Sequence, residues 1–228
     1  MQNEVRLLST LALMGAVRSL TGRYEAAGGA RIDADFAPTL ALLDRLRSGE
    51  GADLVILTKQ ALDDLALQGT VAAESCVDLA RSYVGIAVKA GAAHPDIATE
   101  SALRATLLGA RAVAYSRLGA SGIFFARLIE RMGIESEVNA RACIVPQGFT
   151  AERLLTGEAE LAVQQLSELK QVKGIEVIGP IPLDLQSPAV FSAGRLAASN
   201  RVVQSDALLK YLASPEVAPA LRESGLEP

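Results

Sequence analysis

Short apolar segments alternate with segments of helical spacing along almost the whole chain. Leu54–Leu57 is a continuous apolar run, which is typical of a strand buried in a parallel sheet. Leu11–Ala26 instead has apolar residues at helical spacing and ends before a pair of glycines. Repeated strand–helix units of this kind predict an α/β fold with mostly parallel sheets. Further strands are predicted at Val5–Thr10, Arg31–Phe36, Val84–Val88, Ala112–Ser116, Cys143–Val145, Leu161–Gln164, Ile175–Ile178 and Val190–Leu196.

The same alternation predicts two similar lobes. It restarts after Pro95, and 228 residues fit one large or two small domains. Two closing helices have no strand to cover in the second lobe, which is explained if the chain returns to the first. We therefore expect residues 1–85 and 187–228 to form lobe 1, and residues 86–186 to form lobe 2. The helices predicted after Leu11–Ala26 are Leu40–Ser48, Gln60–Gln68, Glu100–Leu108, Ile123–Met132, Thr150–Thr156, Ser205–Ala213 and Pro215–Ser224.

Charge and hydropathy restrict the kinds of partner. The formal net charge is −4 and no run of Lys or Arg stands out, which argues against nucleic acid. No apolar run reaches the roughly 18 residues of a membrane span. Met1 leads straight into a strand-like segment without the features of a secretory signal. Either the protein is cytoplasmic or a leader has been removed and it is periplasmic, and the sequence leaves both open.

Few residues suit metal, cofactor or nucleophilic chemistry. Cys76 and Cys143 could form a disulfide or remain buried thiols, and no Cys/His cluster predicts a metal site. His94 is the only histidine, and its Gly-Ala-Ala-His-Pro context predicts a surface loop rather than a catalytic base. The GxSxG, GxGxxG and Walker motifs are absent, so we expect no Ser-His-Asp triad and no cofactor.

The segment Ala112–Ile123 predicts an anion site. It reads as a short strand, a turn of small residues and a helix that opens near Ser121. Free backbone N–H groups and a hydroxyl at a helix N-terminus attract anions. The alternative is an ordinary helix cap, because Ser and Thr are common at that position.

Other predicted strands end in the same kind of residue. Ligands of open α/β sheets bind at the carboxyl ends of the strands, so these positions are the candidate contacts. Hydroxyls, amides and glycines with few charges suit a small oxyanion or carboxylate held by neutral donors. The candidate ligand-binding residues are Ser9, Thr10, Pro38, Thr39, Thr58, Ser116, Gly119, Ala120, Ser121, Gly122, Gln147, Gln164 and Gln165.

Four charged residues near these turns are candidates for catalysis if the chain is an enzyme: Lys59, Arg81, Arg117 and Glu168. Arg81 could bind a carboxylate or simply pair with Asp78. Arg117 could bring positive charge to the site or lie exposed in its turn. Glu168 could serve as a base, although a solvated glutamate at the start of a helix is the interpretation we favour.

The chain resembles the type II periplasmic solute-binding proteins, in the branch of the molybdate-binding proteins. The resemblance implies a two-lobed α/β fold, lobes joined by crossing strands, a ligand in the cleft between them and an ABC permease as a possible partner. The stretches that carry it, in family order and spacing, are Val5–Thr10, Phe36–Thr39, Gly49–Ile56, Val77–Ser82, Gly119–Gly122 and Gly157–Leu161.

The resemblance also implies which side chains hold the anion. Thr39 and Ser121 match two of the positions that bind molybdate in that branch. The serine after the first strand falls on Ala12, with Ser9 and Thr10 nearby, and a late tyrosine falls on or near Gln165. These departures suit a larger organic acid as well as a tetrahedral anion.

Two functions follow as hypotheses. The first is a solute-binding protein that closes over a small oxyanion or organic carboxylate. The alternative is an isomerase of an unsaturated polycarboxylic acid, because some proteins that resemble this branch isomerise aconitate. Such an enzyme would need cationic groups and a base to move a proton.

Overall fold

The computed structural model describes residues 4–228, which form two compact units. Unit 1 contains the described residues up to Arg81 together with Ala189–Pro228, and unit 2 is Ser82–Pro188. The strands are β1 (Glu4–Thr10), β2 (Arg31–Ala37), β3 (Leu54–Thr58), β4 (Val77–Ser82), β5 (Val84–Lys89), β6 (Val113–Tyr115), β7 (Cys143–Ile144), β8 (Leu161–Gln165), β9 (Ile175–Pro180) and β10 (Ala189–Arg195).

Several helices follow closely on a strand. Leu11–Leu13 forms a 3₁₀ turn before the first α-helix, and Pro215–Val217 forms another before the last. The α-helices are α1 (Met14–Ala26), α2 (Thr39–Arg47), α3 (Lys59–Leu67), α4 (Glu100–Gly109), α5 (Ala120–Arg131), α6 (Glu135–Asn139), α7 (Glu152–Leu155), α8 (Leu166–Leu169), α9 (Val202–Leu212) and α10 (Ala218–Glu223).

The sheet of unit 1 has the order β2-β1-β3-β10-β4. β1 pairs in parallel with β2 and β3, whereas β10 runs antiparallel to β3. Leu8, Val55 and Leu57 are fully buried and pack with Leu42 and Leu62 from the flanking helices. The closing helices belong to this unit: α9 contacts β10 and β1, and α10 packs on α1.

The sheet of unit 2 has the order β7-β6-β8-β5-β9. β6 pairs in parallel with β7 and β8, and β5 runs antiparallel to β8 and β9. Tyr115 and Phe125 are fully buried in its core and meet edge to face, with ring centroids 5.0 Å apart. The Tyr115 hydroxyl donates to the Asn139 side chain, so the buried phenol keeps a polar partner.

The structure corrects the sequence predictions at several points. The predicted α/β sheets are present and both are mixed: β10 and β5 run antiparallel to their neighbours, which apolar runs such as Val84–Val88 do not reveal because they indicate burial but not strand direction. β4 and α6 were not predicted, α8 was anticipated only as a helix start near Glu168, and α5 begins at Ala120 rather than at Ile123. The hydropathy pattern does not predict β4, because Asp78 and Arg81 interrupt its apolar residues.

Isolated predictions have mixed outcomes. His94 is exposed as predicted, and its imidazole lies 2.6 Å from the Glu176 carboxylate. Among the residues that the structure describes, both cysteines are free, so the disulfide that the sequence left open is not formed. Across residues 4–228 there is no helix with both the length and the apolar character to cross a membrane.

Candidate functional site

The parallel strands of unit 1 end at one edge of the sheet. The register places Ser9 opposite Phe36 and Thr10 opposite Ala37, so the segments that follow β1 and β2 emerge side by side. Thr58 closes β3, the other neighbour of β1. We call this place the unit 1 strand edge, and its candidate residues are Ser9, Thr10, Pro38, Thr39 and Thr58.

One hydroxyl of the unit 1 strand edge is buried without a partner. Thr10 is 3% exposed and Thr39 is 5% exposed. The Thr10 Oγ1 atom has no hydrogen-bond partner in the described part of the chain. The Ser9 hydroxyl, in contrast, donates to the carbonyl of Thr10 at 3.2 Å. Thr10 therefore retains hydrogen-bonding capacity that the protein does not use.

Helix N-termini add backbone donors at this edge. The segments that follow β1, β2 and β3 begin with N-caps Thr10, Pro38 and Thr58, none of which makes a side-chain capping bond within residues 4–228. The first N–H groups of such helices lack a partner inside the helix and lie at the positive end of its dipole. The edge thus offers neutral donors in a field that favours negative charge.

Unit 2 has a similar strand edge after β6. Ser116 follows the strand, and α5 begins at Ala120 with Gly119 as an N-cap that makes no side-chain bond within the described residues. Ser121 is 2% exposed and lies in the first turn of α5. Ser116 is also buried, and its hydroxyl accepts from the Leu118 N–H at 3.2 Å. We call Ser116, Gly119–Gly122 and the ends of β7 and β8 the unit 2 strand edge.

Gly122 lets α5 approach the end of β6 closely. A Cβ at this position would overlap the carbonyl oxygen and carbon of Ser116. At Gly119 a Cβ would have no described atom within 4 Å, and the backbone φ of −97° is open to any residue. The helix start is therefore held in place at Gly122, whereas Gly119 is sterically free.

We expect Gly122→Ala to destabilise the protein and Gly119→Ala to be tolerated. The added methyl of the first variant forces α5 away from Ser116, at a cost of about 1–3 kcal/mol for overpacking. Urea denaturation of the two variants and the parent chain measures the difference. Equal stability of both variants would contradict the close approach.

The two glutamines that end β8 are bonded inside unit 2. Gln164 accepts from the Thr150 N–H at 2.8 Å and from the Thr150 hydroxyl at 3.1 Å, and its amide donates to the Gly148 carbonyl at 3.2 Å. With its amide oriented by the hydrogen-bond network, Gln165 donates to Ser82 and to the Tyr83 carbonyl, each at 3.2 Å. Both side chains are buried. Their amide donors are committed to the protein.

Glu168 is buried, so the expectation of a solvated helix-start glutamate is wrong. It is 7% exposed, and its Oε2 accepts from the Gln165 N–H at 3.1 Å in a capping box at the start of α8. Burial raises the pKa of its carboxyl to about 7, against the lowering effect of hydrogen bonds from Gln165 and Gln164. Tertiary packing buries Glu168, so the local sequence pattern does not indicate its burial.

The raised pKa makes folding stability depend on pH. Ionisation of Glu168 costs more free energy in the folded than in the unfolded chain. The contribution of Glu168 to the free energy of unfolding is therefore largest below pH 4.5 and decreases as the pH rises to about 7. Glu168→Gln keeps an acceptor for the Gln165 N–H but has no charge. Relative to this variant, we expect the parent chain to lose about 1–3 kcal/mol of stability between about pH 5 and about pH 8. Urea denaturation at the two pH values measures this, and an unchanged difference between the chains would contradict it.

The other charged candidates lie apart from these donors or are paired. Lys59 Nζ lies 3.2 Å from an Asp78 oxygen and 3.8 Å from Asp63. Arg81 and Asp78, whose pairing the sequence left open, form no salt bridge within the described residues, and Asp78 instead contacts Lys59 and accepts from Ser192 at 2.6 Å. Arg81 is exposed and its backbone pairs with Glu227.

Three further candidates offer little to a ligand in this structure. Arg117 and Gln147 are exposed, and Ala12 is buried in the 3₁₀ turn after β1 with no hydroxyl to offer. Sequence reasoning missed Thr150, which is fully buried and holds Gln164. Its position after the positive-φ Gly148, in the turn that follows β7, was the available signal.

Sequence comparison identifies relatives over nearly the whole chain. The sequence model of a family described as bacterial extracellular solute-binding protein matches residues 5–227. A protein described as aconitate isomerase, from a Pseudomonas species, is 39% identical over 228 residues that cover 97% of this chain and 87% of that protein.

Solved structures share the fold at low sequence identity. The periplasmic molybdate-binding protein of Azotobacter vinelandii aligns with a TM-score of 0.82 at 14% identity, covering 97% of this chain and 98% of that chain. The sulfate-binding protein of Mycobacterium tuberculosis H37Rv aligns with a TM-score of 0.74 at 14% identity, covering 99% of this chain and 86% of that chain. These likenesses confirm the predicted type II periplasmic-binding-protein fold.

Proposed function

The chain belongs to the family of bacterial extracellular solute-binding proteins, and we propose that it binds a small organic carboxylate at the strand edges described above. The observation that carries this proposal is the buried hydroxyl of Thr10, which the described part of the protein leaves without a partner. The buried residues Thr39 and Ser121 accompany it, and all three stand at the start of a helical segment whose N-cap makes no side-chain bond within that part.

Energetics support a ligand at these hydroxyls. Burying a hydroxyl without a hydrogen bond costs about 1–3 kcal/mol. The Thr10 hydroxyl therefore lowers the stability of a marginally stable protein unless a bound molecule supplies its partner. Hydroxyls and helix N-termini supply donors and positive potential, so the molecule they match is an anion.

An organic acid fits better than a tetrahedral oxyanion. Ala12 offers no hydroxyl where the resemblance places a serine, and Gln165, at the place of the late tyrosine, is bonded inward. Two of the side-chain donors expected for molybdate are thus missing. The 39%-identical relative is described as acting on aconitate, a tricarboxylate. In the binding role, we place the protein outside the cytoplasm with an ABC permease as its partner.

A thermal-shift panel tests the ligand class. Molybdate, tungstate and sulfate are compared with carboxylates that include trans-aconitate and citrate, since a ligand of the native state raises its melting temperature. We expect stabilisation by carboxylates above that by the oxyanions. Stabilisation by molybdate or sulfate alone would overturn the carboxylate proposal.

Substitution of Thr39 and Ser121 tests the site. Thr39→Ala and Ser121→Ala are each expected to weaken binding of trans-aconitate by about 1 kcal/mol or more, for one lost hydrogen bond to a charged group. Isothermal titration calorimetry measures the affinity.

Thr156→Ala is the matched control for these variants. The Thr156 hydroxyl donates to Glu158 at 2.8 Å, and its neighbour Gly157 lines a cavity with Leu161, at the opposite end of β8 from the strand edge. We expect this variant to keep the parent affinity. Unchanged affinity in both site variants would place the ligand elsewhere.

A second function is an isomerase of an unsaturated polycarboxylate, which the relative described as aconitate isomerase favours. The reaction removes a proton from the carbon beside the double bond and returns it at the far carbon of that bond. Burial raises the pKa of Glu168 to about 7. A carboxyl with this pKa could accept the proton and return it near neutral pH.

Incubation with trans-aconitate in D₂O, followed by NMR, separates the two functions. Appearance of the cis isomer with deuterium on carbon would establish the isomerase. Binding without conversion or exchange would exclude isomerisation of this substrate and leave the binding protein.

A further inference from the structure

Unit 2 contains a cavity of about 610 Å³ at the edge of its sheet opposite the unit 2 strand edge. Val88 near the end of β5, Leu154 of α7 and Leu161 at the start of β8 line it. Leu161 and Gln165 are the first and last residues of β8, about 13 Å apart along a strand. The cavity is therefore separate from the edge at which we propose that the carboxylate binds.

The floor of this cavity is apolar and buried. Val88, Leu154 and Leu161 are 2%, 1% and 3% exposed. Val88 and Leu161 belong to one buried cluster of unit 2, and Leu154 belongs with Ala159 to another, so the cavity lies where the two clusters meet at the end of the sheet. The residues around this floor are small, which leaves the space open: Ala92, Ala93, Gly109, Ala110 and Gly157.

Hydrogen bonds hold two walls of the cavity in place. On one side, the Glu176 carboxylate accepts from the Gly91 N–H at 3.1 Å and lies 2.6 Å from the His94 imidazole. On the other side, Arg111 donates to the Glu160 carboxylate from its backbone N–H at 2.8 Å and from Nε at 3.3 Å. The protein itself thus fixes the loop after β5 and the segment before β8. A concave, mostly apolar and preformed space of this size is typical of small-molecule sites.

Lys89 supplies a positive charge at the rim of the cavity. It ends β5, is exposed, and forms no salt bridge within residues 4–228. The other ionic side chains of the lining are paired, Arg111 with Glu160 and His94 with Glu176. Lys89 is therefore the lining cation that can pair with a ligand without giving up an ion pair of the protein.

We propose that this cavity is a second ligand site, which binds a small amphiphile with an apolar chain and one anionic head group. The chain lies on the floor formed by Val88, Leu154 and Leu161, and the head group pairs with Lys89. Burial of the chain provides most of the affinity, and the lysine selects the sign of the head-group charge. The inference does not rest on the proposed carboxylate site, because none of its candidate residues lines the cavity.

Three probes with one chain and different head groups test the ligand class on the full chain. Octanoate is anionic, octan-1-ol is neutral and octylammonium is cationic, and isothermal titration calorimetry measures the affinity of each. We expect octanoate to bind at one site about threefold more tightly than octan-1-ol, which is the contribution of an exposed ion pair. Octylammonium should bind more weakly than both. Equal affinities of octanoate and octylammonium would overturn the anionic head group.

Lys89→Gln tests the head-group contact. The variant keeps a long polar side chain but has no charge, so octanoate should lose its advantage of about threefold and octan-1-ol should bind as before. Lys170→Gln is the matched control, because Lys170 is also an exposed lysine of unit 2 and does not line the cavity. An equal loss of octanoate affinity in the two variants would overturn the role of Lys89.

Gly109→Leu tests the location. Gly109 lines the cavity, and a Cβ there would have no described atom within 4 Å, so a larger side chain can occupy the open space without displacing the protein. We expect unchanged stability in urea denaturation, and octanoate and octan-1-ol affinities lower by about tenfold or more, since the chain loses apolar contacts. The trans-aconitate affinity of this variant should equal that of the parent chain.

Two results would reject the second site. Octanoate binding that is as tight in Gly109→Leu as in the parent chain would place the amphiphile elsewhere, and absence of octanoate binding by the parent chain would remove the site altogether. Both results are independent of trans-aconitate, whose binding tests the strand edges alone. Failure of this inference is therefore distinguishable from failure of the proposed function.

Discussion

Parallel pairing of β1 with its two neighbours determines what unit 1 can bind. Because β1, β2 and β3 run in the same direction, the three segments that follow them begin at one edge of the sheet. Their helix N-termini then add their partial positive charges in one place. If β1 and β2 were antiparallel, Thr10 and Thr39 would lie at opposite edges of the sheet. Strand direction, more than any single side chain, creates the donor set, and β6 with β8 repeats the arrangement in unit 2.

Stability and binding compete at these edges. The buried Thr10 hydroxyl has no partner within the described residues, which lowers the stability of the free protein. A hydrogen bond to the protein, like that of Ser9, would restore this stability, but the hydroxyl could then no longer bind a ligand. Gly122 shows the same compromise in the backbone. It has no side chain that could stabilise α5, and in return the helix start can lie against Ser116.

The parts that sequence reasoning predicted are those with local causes. The strand–turn–helix segments around Thr39 and Ser121 follow from periodicity and turn residues, so both hydroxyls lie at the predicted ends. The directions of β5 and β10 depend on how the chain crosses between sheets, which hydropathy does not record. Burial of Gln164, Gln165 and Glu168 depends on packing of β8 and α8 against β5, which is distant from them in sequence. The polar residues that the structure ties inward are therefore the ones that sequence interpreted as free.

The same scaffold could bind or catalyse, and the difference lies in what the donors and Glu168 do to an anion. Donors that bind the carboxylate equally well in the ground state and in the transition state increase affinity but do not accelerate the reaction. Isomerisation also needs a base within reach of a C–H bond. The Oε2 atom of Glu168 accepts a hydrogen bond from the Gln165 N–H at the start of its own helix. To remove a proton from carbon, that carboxyl would have to give up its capping bond. A binding role needs no such rearrangement, so the geometry supports the binding protein more directly than the enzyme.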